Sequence, residues 1–109
     1  MIIPVQIVFK NTSRSEALAG WIRESALKLE VFDGRITSCR VSIEELEGHR
    51  ERGREFRVKV EVRGARIHAE STLHDDKDVY AALREAFGSV RRQLNERKSA
   101  ELAARKPRS

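Results

Sequence analysis

The stretch REFRVKVEVRGARIHAES, residues 54–71, alternates apolar and polar side chains along most of its length. Successive side chains of a β-strand point to opposite faces of a sheet, so this pattern predicts two strands, each with one apolar and one polar face. Arg63-Gly64 is short enough to join them as a hairpin. A sheet with one apolar face needs cover on that side only. The predicted inward residues are Phe56, Val58, Val60, Val62, Ala65, Ile67 and Ala69.

Upstream of this hairpin, the sequence predicts two strands and a helix. IIPVQIVF (2–9) and ITSCRVSIEEL (36–46) alternate in the same way, and Pro4 indicates either an edge position or the beginning of a strand for the first. The polar loop EGHRERGR (47–54) links the second to the hairpin. Between them, Ser13 with Glu16 forms a capping-box pattern that predicts a helix reaching about Phe32, where Asp33-Gly34 ends it. The predicted core residues of these elements are Leu18, Trp21, Ile22, Leu29 and Phe32 on the helix and Cys39, Val41 and Ile43 on the second strand.

Downstream, DVYAALREAFGSVRRQL (78–94) predicts a second helix. Its apolar residues follow the helical spacing and should pack on the sheet: Tyr80, Leu83, Phe87, Val90 and Leu94. His74, Asp75 and Asp76 could form a cation site, but we favour a helix start formed by Asp75, Asp76 and Asp78, because acidic side chains cap the free N–H groups there. The order is therefore β-α-β-β-β-α, an α+β two-layer sandwich of a four-stranded sheet with two helices on one face. We expect one domain, 1–99, and a basic, disordered tail, 100–109.

Positive charge is concentrated at the end of the chain. Residues 1–76 carry equal numbers of cationic and anionic side chains, whereas residues 77–109 carry 9 Lys/Arg against 4 Asp/Glu and hold the whole net charge of +5. Arg84, Arg91 and Lys98 recur every seven residues, so they line one side of the second helix. We call these three residues the basic stripe. Such a row indicates either a solvated helix face or, as we favour, an anionic partner such as nucleic acid.

The histidines and the cysteine predict no catalytic or metal site. His49 lies in a polar loop, His68 faces away from the apolar side of its strand, and no spacing assembles a metal site or a nucleophile with its base. Cys39 falls at an inward strand position and should be a core residue. We expect no enzyme activity, cofactor or small-molecule substrate. Because no apolar run approaches the roughly 20 residues that span a bilayer and no secretory signal is evident, we expect a cytoplasmic protein without a membrane partner.

Three segments together resemble the ribosome hibernation promoting factor family, which includes ribosome-associated inhibitor A. They are SEALAGWIRESALKLEVFDGRI (15–36), ARIHAES (65–71) and DVYAALREAFGSVRRQL with RK soon after, and the likeness covers about residues 2–99. The most specific parts are Lys28-Leu29-Glu30, Asp78-x-Tyr80-Ala81-Ala82 and Arg92-Gln93-Leu94.

This resemblance implies a fold related to double-stranded-RNA-binding domains and docking on the small ribosomal subunit, in the mRNA and tRNA channel. It implies rRNA contacts by Lys28, Arg92 and Lys98. Arg84 and Arg91 join this set of candidate rRNA-binding residues from the helical geometry alone. Long-form members of the family carry a C-terminal domain that pairs two ribosomes. This short form would therefore need another factor for ribosome dimerisation.

The sequence also departs from the family's pattern at positions that usually carry charge. Gly88-Ser89 replaces an acidic-Lys pair, and Ser25 stands where a Lys is common. These losses weaken the case for a strong ribosome inhibitor. The alternative function is an RNA- or protein-binding regulator that uses the same fold without ribosome inhibition.

Overall fold

The computed structural model describes residues 3–46 and 55–104. The predicted loop 47–54, with His49, and residues 105–109 of the predicted tail lie outside the described residues. Within the described ranges the elements follow in this order: β1 (Val5–Lys10), α1 (Glu16–Phe32), β2 (Ile36–Glu45), β3 (Phe56–Gly64), β4 (His68–Glu70), β5 (His74–Asp76) and α2 (Val79–Ala104).

The strands form one mixed sheet. β1 lies at one edge and pairs parallel with β2, while β2 pairs antiparallel with β3. The parallel pair is joined through α1, as a parallel connection requires. The edge position of β1 confirms the interpretation of Pro4. In the β2–β3 register Val41 lies opposite Val60 and Ile43 opposite Val58, so the inward side chains of the two strands meet in pairs.

The predicted fourth strand is divided in two. β4 and β5 both pair antiparallel with β3 and lie along the same edge of it. Between them, buried Ser71 bonds to Val60 twice: its N–H donates to the Val60 carbonyl at 2.8 Å, and its hydroxyl accepts from the Val60 N–H at 2.9 Å. The Ser71 hydroxyl therefore accepts the hydrogen bond of a β3 backbone N–H at the point where the backbone pairing between strands is interrupted. The sheet has five strands, not four.

The second of these short strands corrects the prediction for the acidic run. Asp75 and Asp76 belong to β5 and do not start the second helix. Arg57 on β3 donates two hydrogen bonds to the Asp75 carboxylate, at 2.8 and 3.0 Å, which holds the segment against the sheet. Only Asp78 is at the helix start, where its carboxylate accepts from the Tyr80 N–H at 2.9 Å.

The turn of the β3–β4 hairpin is longer than predicted. The Gly64 N–H donates to the Ile67 carbonyl at 2.9 Å, so the alternation resumes at Ile67 and Ala65 is exposed, not inward. A Cβ on Gly64 would lie 2.0 Å from the backbone oxygen of Arg35. Glycine is therefore required where the hairpin meets the start of β2.

Helix α1 begins later than the capping box predicts. Ser15, and not Ser13, is the N-cap, and its hydroxyl accepts from the Leu18 N–H at 3.2 Å. The helix ends at Phe32 as predicted, with Asp33 as C-cap. Its buried residues recur at helical spacing: Ala19, Ile22, Ala26 and Leu29.

Helix α2 extends further than predicted. Residues 100–104, assigned to the tail, are helical. The Glu101 carboxylate accepts two hydrogen bonds from Arg35, at 2.6 and 2.8 Å, which fixes the last turns beside the start of β2. Alanine-rich sequence here also favours helix.

The two helices cover the same face of the sheet, which confirms the predicted α+β sandwich. α1 packs on β1 and β2, α2 packs on β3, β4 and β5, and the two helices also contact each other. The predicted core is confirmed, with Trp21 and Tyr80 only half-buried: it includes Leu29, Val41, Val58, Val60, Leu83, Phe87 and Leu94. Neither described helix has the long apolar run needed to cross a membrane.

Candidate nucleic-acid interface

Helix α2 carries the basic stripe on the side next to its buried face. Leu83, Val90 and Leu94 are fully buried against the sheet, which fixes the rotation of the helix about its axis. Arg84 and Arg91 are exposed as a result, and Lys98 is half-buried. The seven-residue spacing therefore places the first two cations in solvent along the line where α2 approaches α1.

A groove between the helices brings Lys28 to the basic stripe. From α1 it is lined by Trp21, Ser25, Lys28 and Leu29, and from α2 by Arg84, Phe87, Gly88 and Arg91. We call this the interhelical groove; its volume is about 230 Å³. Of the five predicted rRNA-binding residues, the structure gathers Lys28, Arg84 and Arg91 around this groove.

The fourth predicted residue, Arg92, lines a neighbouring depression of about 360 Å³. Arg84 and Gly88 line both the groove and this depression. Arg92 therefore lies next to the groove on the surface of α2. A Cβ on Gly88 would be 3.7 Å from a guanidinium nitrogen of Arg92, and so Arg92 folds back over the glycine. The four exposed cations Lys28, Arg84, Arg91 and Arg92 thus occupy one continuous region of the helical face.

The fifth predicted residue, Lys98, has an internal partner. Its ammonium group donates a hydrogen bond to the Phe32 carbonyl at the end of α1. The same nitrogen lies 4.5 Å from the centre of the Phe32 ring, and the Arg91 guanidinium carbon lies 4.6 Å from it. Both separations allow cation–π attraction. Lys98 therefore ties α2 to the C-terminal end of α1, where a cation also complements the helix dipole.

Ion pairing distinguishes the cations of α2 from those of β3. Within residues 3–46 and 55–104, Lys28, Arg84, Arg91 and Arg92 form no ion pair. On the open face of the sheet, Arg57, Lys59 and Arg63 each contact a carboxylate, at 2.8, 3.4 and 3.3 Å respectively. We call these three the β3 row. Because these helical cations form no ion pair among the described residues, their positive charge can attract an external anion.

Two anchors hold α2 in place beneath these cations. The Gln93 side chain donates to the Glu70 carbonyl on β4 at 2.8 Å. At the other end, buried Asp33 accepts hydrogen bonds from the Arg35 side chain at 2.8 and 3.0 Å, and Arg35 reaches on to Glu101. The Arg35 hydrogen bonds hold the pKa of Asp33 below its ordinary value.

The open sheet face also gathers a histidine and two carboxylates that the sequence did not place together. Ligand atoms of Glu61, His68 and Glu70 all lie within 4.8 Å of one another. Arg63 and Lys59 contact the same carboxylates, which makes the group part of the β3 ion-pair system. The His68 hydrogen bond, with help from Arg63, lowers the pKa of Glu61.

Cys39 is buried, as its strand position predicted. Burial raises the pKa of its thiol to about 12. A thiol of this kind stays protonated and unreactive at neutral pH, so Cys39 contributes packing to the core.

Sequence reasoning missed the residues that shape the groove. Trp21 and Phe87 were assigned to the core alone, and Ser25 and Gly88 only to lost charge. The available signal was spacing: Ser25 lies three residues before Lys28, and Gly88 lies four after Arg84, so each small residue shares a helix side with a cation. Only the relative position of the two helices brings them together.

The comparisons with known proteins agree on the fold and family. Residues 5–101 match the family described as sigma 54 modulation protein / S30EA ribosomal protein. A ribosomal subunit interface protein from Coxiella burnetii aligns with a TM-score of 0.74 at 12% identity, over 89% of this chain and 99% of that one. The Protein Y N-terminal domain from Thermus thermophilus aligns with a TM-score of 0.64 at 16% identity, over 88% and 98% respectively. No curated protein sequence matches significantly.

Proposed function

The chain belongs to the sigma 54 modulation protein / S30EA ribosomal protein family, a family of ribosome-associated factors, and from this premise we propose that it is a hibernation factor that inhibits translation. In this proposal it acts in the cytoplasm and binds the small ribosomal subunit through rRNA, in the channel that mRNA and tRNA use. The proposal assigns it a binding role without a chemical step.

The observation that carries the proposal is the group of four exposed cations without ion pairs among the described residues, on a single face. Lys28 comes from α1, and Arg84, Arg91 and Arg92 come from α2. Folded rRNA presents closely spaced phosphates on a rigid surface, and a rigid row of cations neutralises several of them at once. Because both helices are packed on the sheet, little backbone conformational entropy is lost when this face docks.

The test is sedimentation with ribosomes, separated subunits and two charge-matched variants. The α2 triple variant replaces Arg84, Arg91 and Arg92 by Ala, and the β3 triple variant replaces Arg57, Lys59 and Arg63 by Ala. We expect the natural protein and the β3 triple variant to sediment with small subunits at about 50 mM salt, and the α2 triple variant to remain near the top of the gradient.

A purified translation system tests the second half of the proposal. The natural protein should slow synthesis, and the α2 triple variant should not. If the natural protein fails to sediment with small subunits, the ribosome proposal is wrong. Sedimentation without any effect on translation would favour the alternative of an RNA-binding regulator.

A further inference from the structure

We propose that the interhelical groove receives one unpaired nucleotide of the RNA that the protein binds, with the base inside the groove and its phosphate on the rim. This inference rests on the proposed function and specifies the chemistry recognised at that interface. Its evidence is the lining of the groove, its size and the charge around it.

The walls of the groove are apolar and aromatic. Trp21 and Phe87 contribute rings, and their centres lie 5.9 Å apart in an edge-to-face arrangement. Trp21 makes a second edge-to-face contact with Tyr80 at 5.7 Å, so its orientation is fixed by packing. Phe87 is buried and supports Trp21 through their edge-to-face contact, whereas Trp21 is only half-buried. The exposed part of the indole is therefore an apolar aromatic surface against which any nucleobase can pack.

Two small residues leave the space that a base requires. Ser25 on α1 and Gly88 on α2 both line the groove. A pocket of about 230 Å³ is smaller than the roughly 300–1,000 Å³ typical of sites for larger ligands. It suits a single planar ring system better than a peptide helix.

The rim supplies positive charge on both sides of this space. Lys28 lies on the α1 side, and Arg84 and Arg91 lie on the α2 side; none is ion-paired within the described part of the chain. An apolar slot between unneutralised cations favours a ligand that combines a flat apolar part with an anion. A nucleotide has both parts, and only an unpaired one can turn its base away from a helix into the slot.

Labelled RNA hairpins, one fully paired and one with a single-nucleotide bulge, test this inference. The natural protein should bind the bulged hairpin about 5- to 100-fold more tightly, the range expected for one stacked base. Trp21 is the only tryptophan of the chain, so its emission should be quenched by the bulged hairpin and much less by the paired one.

Filling the groove should remove this preference without removing charge. Ser25→Leu places a bulky side chain in the groove. Gly88→Leu places one at the border of the groove, where a Cβ would be 3.7 Å from a guanidinium nitrogen of Arg92, an ordinary contact distance. Both variants should bind the two hairpins equally, at the affinity of the natural protein for the paired one. Gly20→Leu is the matched control, because Gly20 is exposed on α1 and a Cβ added there would have no neighbour within 4 Å.

Three results would overturn the inference: equal binding of both hairpins by the natural protein, a preference that survives in Gly88→Leu and Ser25→Leu, or AMP alone quenching Trp21 and binding as tightly as the bulged hairpin. The last result would identify a free-nucleotide site. None of these results removes sedimentation with ribosomes, so failure of this inference is distinguishable from failure of the proposed function.

Discussion

Helix α2 and strand β3 both carry rows of cations, but the two rows have different electrostatic surroundings. In the β3 row, Arg57, Lys59 and Arg63 each contact a carboxylate on the sheet. On α2, Arg84, Arg91 and Arg92 make no ion pair with any described residue. The two rows carry the same number of positive charges. They differ in how much of that charge is available to a binding partner.

The difference shows that cation content alone does not locate an interface. A cation paired at 2.8–3.4 Å contributes little field beyond its partner, and binding a phosphate there would leave a carboxylate unpaired. Asp76 and Glu85 line the same depression as Arg84 and Arg92, but among the described residues neither forms an ion pair with them. We therefore expect the β3 row to act on stability and the α2 row on binding.

The largest expected effect tests this division directly. The slope of log affinity for ribosomes against log salt concentration should fall by about 3 in the α2 triple variant, because each lost phosphate contact removes about 1. The β3 triple variant loses the same net charge and should keep the slope within about 0.5 of the natural value. Binding measured at several salt concentrations checks this. Equal losses of slope would mean that net charge, not pairing, governs binding.

The second prediction concerns the anchor at the end of α2. Asp33→Ala should lower the free energy of unfolding by about 2–3 kcal/mol, since it removes charge-assisted hydrogen bonds from a buried carboxylate. The loss stays below that of a fully buried pair because Arg35 is partly solvated and keeps Glu101. Urea unfolding measures it. A loss under about 0.5 kcal/mol, typical of surface positions, would show that the anchor is not needed for stability.

A smaller effect separates two neighbours within the basic stripe. Lys98→Ala should cost about 0.5–1.5 kcal/mol of stability, because its ammonium group bonds to the Phe32 carbonyl, and should change the salt slope by less than about 0.5. Arg91→Ala should lower the slope by about 1. Thermal unfolding and salt titration of both variants check the contrast. The same change of slope in both would show that Lys98 also contacts a phosphate, as the sequence predicted.

The smallest effect is a pH dependence in the β3 row. Because His68 lowers the pKa of Glu61 in the folded state, the ionised carboxylate stabilises the fold above its unfolded pKa, near 4.5, and that stability is lost as pH falls through the folded pKa. The contribution should be below about 1 kcal/mol at this partly exposed site.

Glu61→Gln provides the comparison for this effect. Between about pH 6 and pH 3 the variant should lose less stability than the natural protein, while Asp33 titrates equally in both. Unfolding at each pH measures the difference. Parallel curves would show that the Glu61–His68 contact adds no stability.

The elements that could be predicted are those with a local signal. Alternation marked β1, β2 and β3, and the helical spacing of Leu83, Val90 and Leu94 marked the buried side of α2. Tertiary partners act at two of the places where the prediction was wrong, and in the last turns of α2 the local sequence favours helix as well. Asp75 is held in the sheet by its hydrogen bond with Arg57. Glu101 accepts a hydrogen bond from Arg35, which holds the last turns of α2 beside the start of β2.

For the candidate site, the sequence by itself determined which residues carry charge and which side of each helix they occupy, because helical spacing is a local property. It also determined the fold class, because the spacing of apolar residues shows which face of the sheet and of each helix must be buried. Only the tertiary structure decided that Lys28 meets Arg84 and Arg91 across a groove, and that Lys98 bonds to the Phe32 carbonyl. Pairing and enclosure depend on distances between elements remote in sequence, and those distances are set by how both helices pack on the sheet.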